Sequence, residues 1–178
     1  MWQREAARAL RVPADLLRRL DLRPEQMASA VDLEAEFPLR VPMSYLRRMR
    51  RGDPQDPLLL QVLPMQRERL STPGYGRDPV GDLAAMTVPG VLHKYRGRAL
   101  LIVTGACPIH CRYCFRRHYP YGGAHAGVRA WEPALEYLAS DPSIREVILS
   151  GGDPLSLTDD KLATLLTSNS VLYFSLIK

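Results

Sequence analysis

Residues 98–121 read RALLIVTGACPIHCRYCFRRHYPY, and two features of this stretch govern the reading of the rest of the chain. The first eight residues form a nearly continuous apolar run of strand length. A strand with one wet face alternates apolar and polar residues, whereas a continuous run is buried on both faces, as in parallel sheets. The second feature is that Cys107, Cys111 and Cys114, the only cysteines of the chain, follow at once. Arg112, Arg116, Arg117 and His118 interleave or follow them.

Outward toward the C-terminus, AWEPALEYLAS (130–140) carries Trp131, Leu135 and Leu138 on one face of a predicted helix. REVILSGGDP (145–154) is a second apolar strand that ends in a glycine turn. Another helix is predicted from Thr158 or Asp159, with Ser156 or Thr158 as its N-cap. Strand, loop, helix, strand, loop, helix is the opening of an α/β barrel or a wound sheet. Such folds place their chemistry at the C-terminal ends of the strands. Both the cysteine loop and the SGGDP turn occupy such ends. No internal repeat is present.

Outward toward the N-terminus, AARALRVPADLLRRLDL has Leu10, Leu16, Leu17 and Leu20 near helical spacing, interrupted by Pro13. PEQMASAVDLEAEF continues in that style, and VPMSYLRRMRRGDP predicts a short helix that ends at Gly52. From Asp53 to Gly90 the chain is dense in Pro, Gly and Asp, which predicts ordered loop. The expected organisation is therefore a mostly helical, loop-rich wrapping region over 1–89 and the first two βα units of a partial (β/α) barrel over 90–166. The tail over 167–178, TSNSVLYFSLIK, is atypical. It holds the only Asn and no Arg in an Arg-rich chain, which suggests a truncation or a shifted reading frame.

The bulk composition is that of a water-soluble protein, 46% hydrophobic and 24% charged over 178 residues. No apolar run approaches the roughly 20 residues a membrane helix needs. The first residues, MWQREAARALRV, lack the apolar core of a secretory signal, so a cytoplasmic location is expected. The net charge is +5, but arginine alternates with Asp and Glu as on solvated helix faces, and no nucleic-acid surface is expected. Three cysteines in one segment cannot form a disulfide framework, and clustered thiols point to metal or redox chemistry.

The spacing is C-x3-C-x2-C. Structural zinc takes four ligands, and a fourth would have to come from His110 or His118, with no second half-site downstream. An iron–sulfur cube held by three thiolates keeps one iron open. A catalytic metal needs such an opening for its substrate, and the amine and carboxylate of a chelating amino acid would fill it.

This loop, with Tyr113 just before the third cysteine and directly after a buried strand, resembles that of the radical S-adenosylmethionine enzymes. The resemblance implies a 4Fe-4S cluster on Cys107, Cys111 and Cys114. Its open iron would bind S-adenosylmethionine, with Tyr113, Ser150, Gly151, Gly152 and Asp153 as contacts of that cofactor. A glycine pair after a strand admits close approach to the backbone. Without a ligand, the same turn reads as a strand-to-helix connection capped by Asp153 and opened by Pro154. PGVLHKYRGRALLIVTGACPIHCRYCFRRHYPY (89–121), VPMSYLRRMRRGDPQDPLLLQVLP (41–64) and GYGRDPVGD (74–82) together resemble the lysine 2,3-aminomutase family. They are most similar to its branch that makes β-lysine for elongation factor P.

The resemblance implies an isomerase that moves the amino group of L-α-lysine to the β carbon, with pyridoxal phosphate carrying the nitrogen. It implies an electron donor for the cluster and allows a homo-oligomer. Matched residue to residue, Lys94, Tyr95 and Arg98 fall at the phosphate of pyridoxal phosphate, and Arg116 at the carboxylate of the substrate. The blander alternatives are an exposed basic loop for the first three and solvent exposure for Arg116. The lysine that would form the Schiff base has no match in Lys161 or Lys178, so this chain alone is expected to be inactive. The alternatives are an aminomutase for free lysine or another amino acid, and a non-catalytic metal-binding fragment.

Overall fold

The computed structural model describes residues 2–122, 131–167 and 173–176, so Lys178 and residues 168–172 of the tail lie outside the described residues. The chain forms two compact units. One comprises Met1–Arg77 with Pro108–Arg117, the other Asp78–Cys107 with His118–Lys178. The cysteine stretch is thus shared, with Cys107 in the second unit and Cys111 and Cys114 in the first.

In the first unit the helices are short: α1 Trp2–Ala7, α2 Pro13–Arg19, α3 Met43–Leu46 and α4 Pro57–Leu60. Prolines set their starts. Pro13 stands at the first turn of α2, where its missing N–H would have no partner in any case. It opens the helix rather than interrupting one. Asp56 caps α4, its carboxylate accepting the N–H groups of Leu58 and Leu59 at 2.9 Å. The helix expected to run to Gly52 stops at Leu46. Gly52 instead takes φ +71° and donates its N–H to Leu20 O at 2.7 Å. Leu16, Leu17, Leu20, Val41, Leu59, Val62 and Leu63 form the core of this unit.

The second unit carries a five-stranded sheet in the order β1 Met86–Val88, β2 Val91–Tyr95, β3 Arg98–Thr104, β4 Glu146–Gly151 and β5 Tyr173–Leu176. The first three strands are antiparallel, and β3, β4 and β5 run parallel. Helices α5 Glu132–Ser140 and α6 Asp159–Thr167 lie between the parallel strands in the chain, which makes the unit mixed α/β. The apolar run at 98–105 is buried on both faces, as its composition predicts. Ala99, Leu101 and Val103 pack with Trp131, Ala134 and Leu138 on one side. Ile102 packs with Leu92 on the other, where Tyr119 and Tyr121 join it.

Two strands depart from the sequence-based reading. The loop expected up to Gly90 contains β1, and β2 follows it directly, paired through Met86↔Leu92 and Val88↔Val91. Pro89 and Gly90, the latter at φ +87°, form the connection between them, a pairing typical of a tight turn. The atypical tail contributes β5, whose backbone pairs Glu146↔Tyr173 through Leu149↔Leu176. Among the described residues there are thus three parallel strands where about two were expected.

Candidate functional site

The C-terminal ends of β3 and β4 are joined by a dense set of backbone contacts. Gly152 donates its N–H to Thr104 O at 2.7 Å, and Asp153 donates to Ala106 O at 2.9 Å. Ser156 Oγ donates to the same Ala106 carbonyl at 3.2 Å. Thr104 Oγ1 accepts from Ala106 N–H at 3.1 Å. The residue just before Cys107 is therefore held by three hydrogen bonds, one of them from Asp153 of the SGGDP segment and one from Ser156 just after it.

The glycine pair is explained by the same geometry. A Cβ on Gly151, which sits at φ +120°, would stand 2.3 Å from Thr104 O; one on Gly152 would stand 2.3 Å from Ala106 O. The sequence suggested that these glycines admit a ligand to the backbone. What comes close to them here is the backbone of residues 104–106. Asp153 accepts Leu155 N–H at 3.0 Å and caps a 3-10 turn over Pro154–Ser156. Helix α6 begins later, and Thr158 Oγ1 accepts Lys161 N–H at its start at 3.4 Å. Ser150 is buried.

In the first unit, residues 108–117 are fixed by the N-terminal segments. His110 N–H donates to Arg40 O at 3.0 Å and Arg112 N–H to Gln61 O at 2.7 Å. The His110 ring hydrogen-bonds Pro38 O through Nδ1 and stacks on Phe37 with centroids 4.7 Å apart. Burial pushes the His110 imidazole below its ordinary value, and the charges of Arg40, Arg112 and Arg11 push it the same way against the Pro38 bond.

Arg112 is buried, with its side chain 8% exposed. Its guanidinium binds Glu68 through Nε at 3.0 and 3.1 Å and through Nη2 at 2.6 Å, and reaches Phe37 O at 2.7 Å. Arg117 meets the same carboxylate at 2.7 Å. Burial raises the Glu68 carboxyl. The hydrogen bonds from Arg112, Met65 N–H and Arg117 outweigh that and hold it below the usual range. Neither Glu68 nor Phe37 carries a signal in the sequence, because each lies dozens of residues from the loop it serves.

Cys111 and Cys114 share one turn, with Cys114 N–H donating to Cys111 O at 3.1 Å. None of the three cysteines is in a disulfide. Tyr113 is exposed, and the Cys111 sulfur beside its hydroxyl raises the phenol above its ordinary value. Arg116 is buried rather than solvent-exposed, with its guanidinium 4.7 Å from the Phe115 ring centroid. Among the described residues, no group of three His, Cys, Asp or Glu side chains converges in an arrangement for a metal. The donor chemistry nonetheless suits an iron–sulfur cluster: three thiols, none in a disulfide, on a stretch whose backbone is anchored at Ala106, His110, Arg112 and Cys114.

Lys94, Tyr95 and Arg98 lie at the other end of β3. Lys94 Nζ donates to Val80 O at 2.6 Å and to the buried carboxylate of Asp82. Arg98 pairs with Glu146 at 3.4 Å. Tyr95 and Arg98 are cross-strand partners at the turn between β2 and β3. Arg98 and Thr104 are the first and last residues of β3, about 20 Å apart at ~3.3 Å per residue. The structure thus brings Ser150, Gly151, Gly152 and Asp153 to the start of the cysteine stretch and leaves Lys94, Tyr95 and Arg98 at the far end of the strand.

Residues 101–176 match the model of the Radical SAM superfamily. The chain is 46% identical to the L-lysine 2,3-aminomutase of Escherichia coli (strain K12) over 93% of its own length and 48% of that protein. It is 40% identical to the enzyme of the same name from Haemophilus influenzae over 93% of its length and 49% of the relative. With the one from Buchnera aphidicola the identity is 36%, over 97% and 51%. The chain spans about half the length of the curated relatives it matches.

Proposed function

We propose that this chain, which matches the Radical SAM superfamily over residues 101–176 and is similar to L-lysine 2,3-aminomutases, is a member of that family and supplies the cluster- and S-adenosylmethionine-binding part of an isomerase acting on lysine. The observation that carries the reading is the loop Cys107–Cys114, which directly follows a buried parallel strand and whose preceding carbonyl, that of Ala106, is gripped by the turn of the next strand. A 4Fe-4S cluster on Cys107, Cys111 and Cys114, when bound, supplies the one-electron chemistry that cleaves S-adenosylmethionine and removes a substrate hydrogen.

The roles of the remaining residues follow from what each has left to offer. The N–H groups of Gly152 and Asp153 are spent on Thr104 and Ala106. Contact with the amino group of S-adenosylmethionine therefore falls to acceptors of the Ser150–Asp153 turn, which suits an ammonium. Tyr113, exposed beside Cys111, is proposed to flank the same cofactor. Arg116, its guanidinium held over Phe115, is proposed to take the lysine carboxylate, for which a planar two-pronged donor is matched.

Lys94, Tyr95 and Arg98 are proposed for the phosphate of pyridoxal phosphate. A phosphate there would draw Lys94 from Asp82 and Arg98 from Glu146. The parallel strands β3, β4 and β5 are proposed as the opening of a (β/α) barrel, beginning within residues 90–166. An electron donor for the cluster is part of the same proposal, and the elongation factor P branch is the proposed destination of the β-lysine. The family's Schiff-base lysine has no counterpart in Lys161 or Lys178, so this chain by itself is expected to leave lysine unchanged.

Anaerobic reconstitution with iron and sulfide tests the reading. About four irons and four sulfides per chain are expected, with loss of the cluster's absorbance and electron paramagnetic resonance signals in Cys111→Ala. Bound zinc with no sulfide would instead establish a non-catalytic metal-binding fragment. Formation of β-lysine by the isolated chain would refute its expected inactivity.

A further inference from the structure

We propose that Glu68 is a positioning residue for the Cys111–Cys114 turn, its single carboxylate holding two arginines, one between those cysteines and one just after them in the chain. The inference rests on the reading that the loop carries an iron–sulfur cluster. Arg112 follows Cys111 directly and Arg117 stands three residues after Cys114. Their guanidinium groups converge on Glu68 Oε2 at 2.6 and 2.7 Å. Glu68 is itself fixed by Met65 N–H, which donates to Oε1 at 3.0 Å. The Phe37 ring lies under both cations, 5.1 Å from Arg112 Cζ and 5.5 Å from Arg117 Cζ. Phe37 also stacks on His110, so three residues of the loop are fastened to one segment and one carboxylate.

Two like charges held on one carboxylate oxygen repel each other, and the anion between them offsets that repulsion. Removing the carboxylate sets Arg112 and Arg117 against each other across the cysteine turn. It also leaves two uncompensated positive charges next to the thiolates. Reducing a cluster adds an electron, and nearby positive charge favours the more negative state, so loss of Glu68 shifts the reduction potential upward. Loss of Arg117 removes a positive charge and shifts it downward. A role confined to holding the fold together predicts neither sign.

The test uses the whole chain, reconstituted anaerobically, with the rate of iron loss to a chelator and the reduction potential as readouts. Glu68→Gln is expected to speed iron loss roughly tenfold or more, the scale of one charge-assisted hydrogen bond, and to raise the potential. Arg117→Gln keeps the Arg112–Glu68 pair, so it folds if Glu68→Gln does not. It is expected to speed iron loss by less and to lower the potential. Leu138→Ala weakens the core of the second unit, whose packed residues include none of the loop. It is expected to lower Tm and leave both cluster readouts unchanged. Glu68→Gln behaving like Leu138→Ala, or Arg117→Gln matching the unmodified chain in both readouts, overturns the proposal. An unmodified chain that takes up no iron and sulfide overturns the cluster reading on which it stands, before any variant is compared.

Discussion

The carbonyl of Ala106 accepts the N–H of Asp153 at 2.9 Å, so the residue that precedes the first cysteine is fastened to the turn that follows the next parallel strand. The end of β3 and the SGGDP turn are one hydrogen-bonded structure rather than two neighbouring ones.

This coupling predicts the outcome of Gly152→Ala. The added Cβ would meet Ala106 O at 2.3 Å and Ala106 C at 2.7 Å, and both are backbone atoms that cannot rotate away. Overpacking of this kind costs about 1–3 kcal/mol. A lower Tm is expected, together with reduced iron uptake on reconstitution, because Cys107 moves with Ala106. Ser156→Ala removes one exposed hydrogen bond to the same carbonyl and should cost at most about 1 kcal/mol. Equal Tm values for Gly152→Ala and the unmodified chain would contradict the close approach.

Lys94 and Arg98 are expected to separate in a stability measurement. The Lys94 side chain is 21% exposed and its partner Asp82 only 3%, so Lys94→Met takes the cation away from a buried carboxylate, at a cost of up to about 3–5 kcal/mol. Arg98 and Glu146 are 56% and 36% exposed, and a pair so wet contributes about 0–1 kcal/mol. Urea unfolding of Lys94→Met and Arg98→Gln in the absence of pyridoxal phosphate isolates the structural part. A midpoint unchanged in Lys94→Met would leave the lysine available for a purely phosphate-binding role.

Leu138 is fully buried between α5 and the sheet, packed with Ala99, Leu101 and Val103. Leu138→Ala is expected to cost about 2–5 kcal/mol through lost burial and the cavity left behind. Chemical denaturation measures it directly, and a cost below about 1 kcal/mol would show that the site collapses around the smaller side chain.

Acid should weaken the first unit in a defined window. Hydrogen bonds from Arg69 hold the carboxyl of Asp32 below its ordinary value near 3.8, against the opposing effect of burial. A carboxyl with a depressed folded-state value contributes stability above its unfolded value and loses it as pH falls through the folded one. The contribution of Asp32 is therefore complete near neutrality and fades below about pH 4. Asp32→Asn should flatten the decline of Tm over that range. An identical decline in the variant would assign it to other carboxyls, Glu68 first among them.

The sequence conveys best what depends on local pattern. The run 98–104, the strand over 146–151 and the face built on Trp131 and Leu138 are all where periodicity puts them, because burial on a sheet or helix imposes a period on neighbouring residues. Pro89 and Gly90 carried a turn signal that joins β1 to β2, yet in a segment crowded with Pro and Gly the short strands beside it did not stand out. The strand in the tail was not singled out. VLYFSL has the β-branched and aromatic character of a strand, and residues 173–176 form one, although the stretch differs from the Arg-rich chain before it. The grip of Glu68 on Arg112 has no local signature at all. A tertiary ion pair is set by where two elements meet, and no spacing rule relates residues 44 apart in the chain.

The first unit is discontinuous: it is built from residues 1–77 and then from 108–117, with β1, β2 and β3 made in between. In order of synthesis, Phe37 and Glu68 leave the ribosome well before the arginine that binds them both, at separations of 75 and 44 residues. The N-terminal unit therefore cannot complete its polar interior until the first strands of the sheet have been made. Its last interactions are among its longest loop closures, which places them late in folding. The segment bearing two of the cysteines is the piece that closes the unit, so ordering of that segment and final consolidation of the N-terminal fold are one event.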